Sequence, residues 1–135
     1  MPLFMLKAIV TSLIMLLAIG EAFSGMRMRG YFKGVPLPLK PLRLWHRMVG
    51  DVTLALTTVV GLVCLRDIGV HFSSLHVAGH AAFGALAGLA MVVKVVSARG
   101  YRRLLRHALR IGAVAGFSVL GTFLLSSLWY FLFEL

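Results

Sequence analysis

Apolar positions along this chain gather into four long runs, with most of the charged residues in the short stretches between them or at their ends. The runs predict helices over roughly 4–24, 44–65, 75–97 and 107–133. Each is about 20 residues or more, enough to cross ~30 Å of hydrocarbon at ~1.5 Å per residue. The pattern therefore predicts an all-α integral membrane four-helix bundle, a single transmembrane domain over 1–135. In the first run, Lys7 followed by "AIVTSLIMLLAIG" has the form of a signal peptide and is read as a retained spanning helix. "GVPLPLKPLR" is expected to be an extended interfacial segment leading into the second helix, because proline cannot continue one. "SSLH" offers Ser73 or Ser74 as the cap of the third helix. "SARGYRRLLRHALR" reads as a turn at Gly100 followed by a basic amphipathic extension of the last helix.

Composition strengthens this reading. The 135 residues are 60% hydrophobic and 13% charged, with a mean hydropathy of +0.95. A soluble domain of this size could not cover so much apolar surface with so few polar residues. The net charge of +10 raises the question of nucleic acid, and the positions of the charges answer it. Arg27, Arg29, Lys33, Lys40, Arg43 and Arg47 crowd the first connection, and Arg99, Arg102, Arg103, Arg106 and Arg110 the third. The second connection has only Arg66, set against Asp67. This positive-inside pattern predicts a multi-pass protein with the first and third connections in the cytoplasm and both termini outside. Anionic headgroups of the lipid bilayer account for the basic loops with no nucleic acid partner. The lone Cys64 has no partner for an internal disulfide.

Small residues and aromatics suggest how the helices pack. Gly84-xxx-Gly88 on the third helix and Gly112-xxx-Gly116, then Gly121, on the fourth are expected to let backbones approach closely in lipid. That predicts a tight bundle with the third helix at its centre. Trp45, Trp129 and Tyr130 lie where interfacial aromatic belts belong.

Two histidines stand four residues before a glycine, His46 before Gly50 and His80 before Gly84. Residues so spaced share a helix face, so each glycine clears space one turn beyond an imidazole. A porphyrin lying against a helix needs that relief and an axial imidazole. The elements are similar in this respect to those of membrane b-type cytochromes. Helices two and three run in opposite directions, which puts the two histidines roughly 20 Å apart across ~30 Å of hydrocarbon. They would serve two hemes, one near each face. His107 is the candidate second ligand for His46; His71, His76 and Met5 are candidates for His80. The competing reading is that the histidines only hydrogen-bond across the bundle or anchor at the interface, and it is favoured for His71, His76 and His107. A metal site from Asp67, His71, His76 and His80 ranks lower.

Three ionisable residues interrupt the apolar runs: Glu21, Asp51 and Lys94. Charges at such depth are costly and are candidates for function. An Asp51–Lys94 pair, with Glu21 answering a loop arginine, would satisfy them structurally. The alternative makes Lys94 and Arg47 partners of heme propionates, or Asp51 part of a quinone or proton site.

"LWHRMVGD", "HAAFGALAGLAMVVKV" and "SSLWYF" resemble elements of an uncharacterised family of small bacterial four-helix membrane proteins. The matching positions are His46, Arg47, Gly50, His80, Gly84, Lys94, Ser126 or Ser127, and Trp129. The resemblance runs from about Leu44 to Phe131 and leaves the first helix out. It departs in the third connection, where an arginine-rich stretch replaces an expected Pro-Gly turn, and it does not include His107. The family has no established activity, so the resemblance implies motif positions and no function.

No nucleophile–base set, phosphate loop or cysteine cluster is visible, so the chain reads as a subunit more than as a stand-alone enzyme. The leading expectation is a small membrane subunit that binds heme b and passes electrons to a larger membrane complex, with quinone as a further cofactor candidate. His46 and His80 would be the iron ligands, Gly50 and Gly84 would clear the porphyrin, and His107, Arg47 and Lys94 would support it. The alternative is a heme-free accessory subunit that packs around and stabilises a respiratory or photosynthetic complex. A proton-coupled transporter centred on Asp51 is a third reading. The expected partners are lipid, other membrane subunits and, as an option, a second copy of the chain.

Overall fold

The computed structural model describes residues 3–67, 69 and 73–134. Among them the chain is helical, without strands. The helices are α1 (Leu3–Met28), α2 (Leu39–Asp67), α3 (Leu75–Arg99) and α4 (Leu104–Phe133), each long and apolar enough to cross a membrane. All four extend past the apolar runs that predict them, each of the inner ends taking in one or two basic residues. Continuing the helix gives each added backbone group a partner, whereas ending it at the apolar limit would strand them.

The largest difference from expectation is the start of α2. The segment expected to be extended already turns helical at Leu39, with Leu42 N–H bonded to Pro38 O (3.4 Å). Pro41 is tolerated because it lies in the first turn, where backbone N–H groups have no helical acceptor to lose. Ser74 caps α3 as expected, its hydroxyl accepting from Val77 N–H (3.2 Å). The fourth helix is irregular at both ends. Leu104–His107 forms a 3₁₀ turn, and Leu124–Leu128 forms a π-turn before Trp129.

The helices stand as a square in which α1 packs on α2, α2 on α3, α3 on α4 and α4 on α1. The third helix is thus not central; like the others it has two neighbours. The seam is narrow and made of small residues. Ile14, Ala87, Ala90, Met91, Ala115 and Val119 form the apolar core, and the largest fully buried side chains are Thr53, Ser24, Ser118 and Ser127. Buried hydroxyls find local acceptors: Thr11, Thr53, Ser97 and Ser118 donate to the carbonyls four residues back at 2.5–2.8 Å. Ser127 instead donates across the bundle to Ala8 O (3.0 Å), joining the π-turn to α1.

Of the glycines expected to mark packing faces, Gly121 does so and the two Gly-xxx-Gly pairs do not. A Cβ added at Gly84, Gly88, Gly112 or Gly116 would meet nothing within 4 Å. Gly79 and Gly121 make the close α3–α4 approach: a Cβ would lie 3.0 Å from Leu125 Cδ1 in the first case and 2.7 Å from the Phe83 ring in the second. Spacing permits close approach, but the bulky side chain opposite decides which glycine is used.

The two ends of the square differ in charge. Twelve of the fourteen basic residues and two of the four acidic ones lie at the end holding the first and third connections, which therefore carries the whole formal charge of +10. The other end, with both termini, is neutral.

Candidate functional site

Two polar clusters interrupt the apolar interior, one toward each end. In the half nearer the basic end, α1 contributes Glu21 and Ser24, α2 His46 and Gly50, and α3 Lys94. Glu21 Oε2 accepts a charged hydrogen bond from Lys94 Nζ, an ion pair joining the diagonal helices α1 and α3. Both side chains are largely buried, 11% and 22% exposed. Gly50 makes the seat: a Cβ there would lie 2.9 Å from Glu21 Oε1 and 3.9 Å from Lys94 Nζ. Glu21 Oε1 is itself buried with no hydrogen-bond partner in the structure.

One turn nearer the connection, His46 Nδ1 lies 2.6 Å from Ser24 Oγ. Ser24 is fully buried, and its hydroxyl is also placed to donate to Glu21 O at 3.0 Å. A serine has a single proton to give. With that proton directed at the carbonyl, His46 carries its own on Nδ1 and donates it to Ser24, leaving Nε2 as the ring's acceptor. Gly25 sits against the same ring, its Cβ position 3.4 Å from Cε1.

The expected pairing of charges is exchanged. Lys94 takes Glu21, and Asp51 takes Arg99 at 2.6 Å. Gly50 faces the seam, so its neighbour, about 100° further around a helix of ~3.6 residues per turn, looks to the rim. There Asp51 is 42% exposed and meets an arginine from the end of α3.

Toward the neutral end, α3 brings His76 and His80 one turn apart. His76 Nε2 and His80 Nδ1 are buried without hydrogen-bond partners. The His76 ring packs on Trp129, centroids 4.7 Å apart, and Trp129 in turn on Phe133 at 4.5 Å. Lys7 and Asp67 pair at 3.5 Å at this end.

The sequence candidates are therefore distributed as follows. His46 and His80 lie toward opposite ends, as their depths require. His107 does not join His46; it is exposed in the 3₁₀ turn that opens α4, and His46 finds Ser24. Arg47 is exposed on α2. Lys94 is engaged by Glu21, and Asp67 by Lys7. His71 lies outside the described residues. Among the described residues no group of three or more His, Cys, Asp or Glu is placed to hold a metal ion.

These positions bear on the fit of a porphyrin inside the bundle: at Gly50 the side chains leave no slot for one. The relief at Gly50 is filled by the Glu21 carboxylate, while a Cβ at Gly84 would meet nothing within 4 Å. Glu21 is among the charges the sequence singles out; what sequence reasoning passed over on the first helix is Ser24. Glu21 and Ser24, three residues apart and so on one face, were the available signal. Gly20 is a further case, receiving the Trp45 ring with its Cβ position 2.8 Å from Cη2.

No curated protein and no solved structure matches the chain. A family description does, and it takes in α1, the helix on which Glu21 and Ser24 lie, together with the other three. The chain belongs to the family of unknown function DUF6529, whose sequence model matches residues 2–134.

Proposed function

We propose that the protein is a heme-free accessory subunit of a membrane complex, inserted by four spans with its basic end in the cytoplasm. The observation that carries this reading is the Glu21–Lys94 pair seated over Gly50. It fills with side chains the recess that a cofactor would need, and it ties α1, α2 and α3 together at one level. A charge pair held within apolar helices fixes register and orientation more than it adds stability, the role in which such pairs are best attested. The large apolar side chains that face outward, including Leu44, Met48, Val52, Val59 and Leu62 along α2, are available to lipid or to neighbouring subunits. The bacterial cytoplasmic membrane is the location this reading implies.

A second reading, the heme b electron-transfer subunit, is favoured by one contact. Ser24 holds His46 Nδ1 at 2.6 Å, and a bond of that kind orients an imidazole and leaves Nε2 for a metal. Any heme would then lie on the outside of the square, against a neighbouring subunit. Oxidised and dithionite-reduced spectra of protein purified in mild detergent from heme-fed cells separate the two. The accessory reading expects a colourless protein. A reduced b-type α band that disappears in His46→Ala or His80→Ala would replace it with the cytochrome.

A further inference from the structure

The four acidic side chains of the chain are Glu21, Asp51, Asp67 and Glu134. The first three are occupied by Lys94, Arg99 and Lys7, and Glu134 lies at the neutral end, past the last turn of α4. Arg102, Arg103 and Arg106, all exposed in the third connection, therefore have no acidic side chain of their own chain to answer them. Whatever balances them comes from outside.

An apolar groove of about 280 Å³ opens between α3 and the connection that carries these arginines. It is lined by Val92, Val93, Val96, Tyr101 and Leu104. Three valines line it along α3, and Tyr101 and Leu104 close its end at the connection. Arg102 and Arg103 sit in the turn between those last two residues, which is fixed by Leu104 N–H to Tyr101 O (2.9 Å) and Leu105 N–H to Arg102 O (3.2 Å). Arg29, from the first connection, donates to Leu105 O at 3.3 Å and braces the same turn. The result is an apolar trough beside α3 whose connection end is formed by Tyr101 and Leu104, the residues that flank Arg102 and Arg103 in the chain.

We propose that this is a binding site for an anionic phospholipid, with an acyl chain along the valines and the phosphate on Arg102, Arg103 and Arg106. The trough alone would accept any hydrocarbon, and the arginines alone any anion. A diacyl anionic lipid satisfies both at once, in the geometry that basic pockets beside spanning helices use for such headgroups. Guanidinium forks suit a phosphate, which they can bind through two oxygens. Tyr101 stands at the junction, where an amphipathic ring suits the headgroup level. The site does not depend on the accessory role, but it rests on the membrane insertion proposed above.

The test is native mass spectrometry of the full chain extracted from membranes in mild detergent, titrated with phosphatidylglycerol, cardiolipin and phosphatidylcholine. A chain that fails to fractionate with membranes would overturn the insertion itself; every further outcome bears on the site alone. The expected result is one retained phosphatidylglycerol or cardiolipin and at least tenfold weaker retention of phosphatidylcholine. Retention should fall at least tenfold in the triple variant Arg102→Gln/Arg103→Gln/Arg106→Gln. It should fall comparably in Tyr101→Ala/Leu104→Ser, which changes only exposed positions and leaves every charge in place. Loss in the arginine variant with full retention in the groove variant would reduce the site to diffuse charge attraction and overturn the proposal. So would an equal loss in Lys33→Gln/Arg43→Gln, or competition by millimolar glycerol phosphate, which has the headgroup chemistry without the chain. A dimer that dissociates in the groove variant would assign the trough to a second copy of the protein instead.

Discussion

The two polar clusters solve the same problem differently. Near the basic end, His46 has Ser24 and the lysine has a carboxylate, so the imidazole and both charges meet specific partners from other helices. Near the neutral end, His76 and His80 each bury a ring nitrogen without a partner, and His76 gains a stacked tryptophan instead. An unpaired buried nitrogen costs about 1–3 kcal/mol. The comparison teaches where this bundle keeps its specificity. The basic half is fixed by directional bonds across three helices at one level, while the other half is held by shape, by Ser127 reaching the Ala8 carbonyl and by the Lys7–Asp67 pair at 3.5 Å. The first arrangement is not flawless, since Glu21 Oε1 also lacks a partner, but the second atom of that carboxylate carries the ion pair.

Breaking the ion pair is expected to have the largest effect. Lys94→Met leaves the Glu21 carboxylate buried and alone, and removing one member of a buried pair costs about 3–5 kcal/mol. Because Lys94 is 22% exposed, the lower end of that range is expected. The measure is thermal unfolding in detergent. The double variant Glu21→Gln/Lys94→Met should recover more than half of the loss, because no unanswered charge remains. A double variant as unstable as Lys94→Met alone would show that the lysine contributes packing and not charge.

The glycines sharpen the contrast next. Gly121→Ala puts a methyl group 2.7 Å from the Phe83 ring, and overpacking of this kind costs about 1–3 kcal/mol. Phe83→Leu in the same chain should relieve it. Gly84→Ala, facing open space, should leave stability unchanged or raise it by up to about 1 kcal/mol through helix propensity. Equal losses at the two positions would mean that Gly84 is covered by something in the assembled protein.

Much of the fold was legible because apolar runs of this length leave few options in hydrocarbon. Four helices, the Ser74 cap and the opposite depths of His46 and His80 all follow from spacing along single helices. Partner choice across helices does not. Whether Lys94 meets Asp51 or Glu21 depends on a rotation of about one residue around α2, and that rotation is set by Gly50 facing the seam. Similarly, Gly84 and Gly121 look alike in a sequence until Phe83 takes one of them. The role of α1 was illegible for a different reason: a serine and a glutamate in an apolar run gain meaning only when His46 and Lys94 are brought beside them.

The smallest predicted effects decide most directly between a structural and a ligand-binding role for the histidines. Ser24→Ala removes the bond to His46 Nδ1 from a fully buried site, and the loss of one such bond is worth about 1 kcal/mol. His80→Leu has no hydrogen bond at Nδ1 to lose, and it removes a buried nitrogen that has no partner. Because the His80 ring also meets the Thr122 backbone, the stability of this variant should fall by less than that of Ser24→Ala, with the same thermal measurement applied to both variants. If His80→Leu instead falls by more than Ser24→Ala, the nitrogen is being answered in the purified protein by a group beyond the chain. The same pair of variants then becomes informative in the visible spectrum. A stability loss at His80 accompanied by a lost absorption band would mark an axial ligand, whereas a loss without colour would point to a polar contact from a neighbouring subunit.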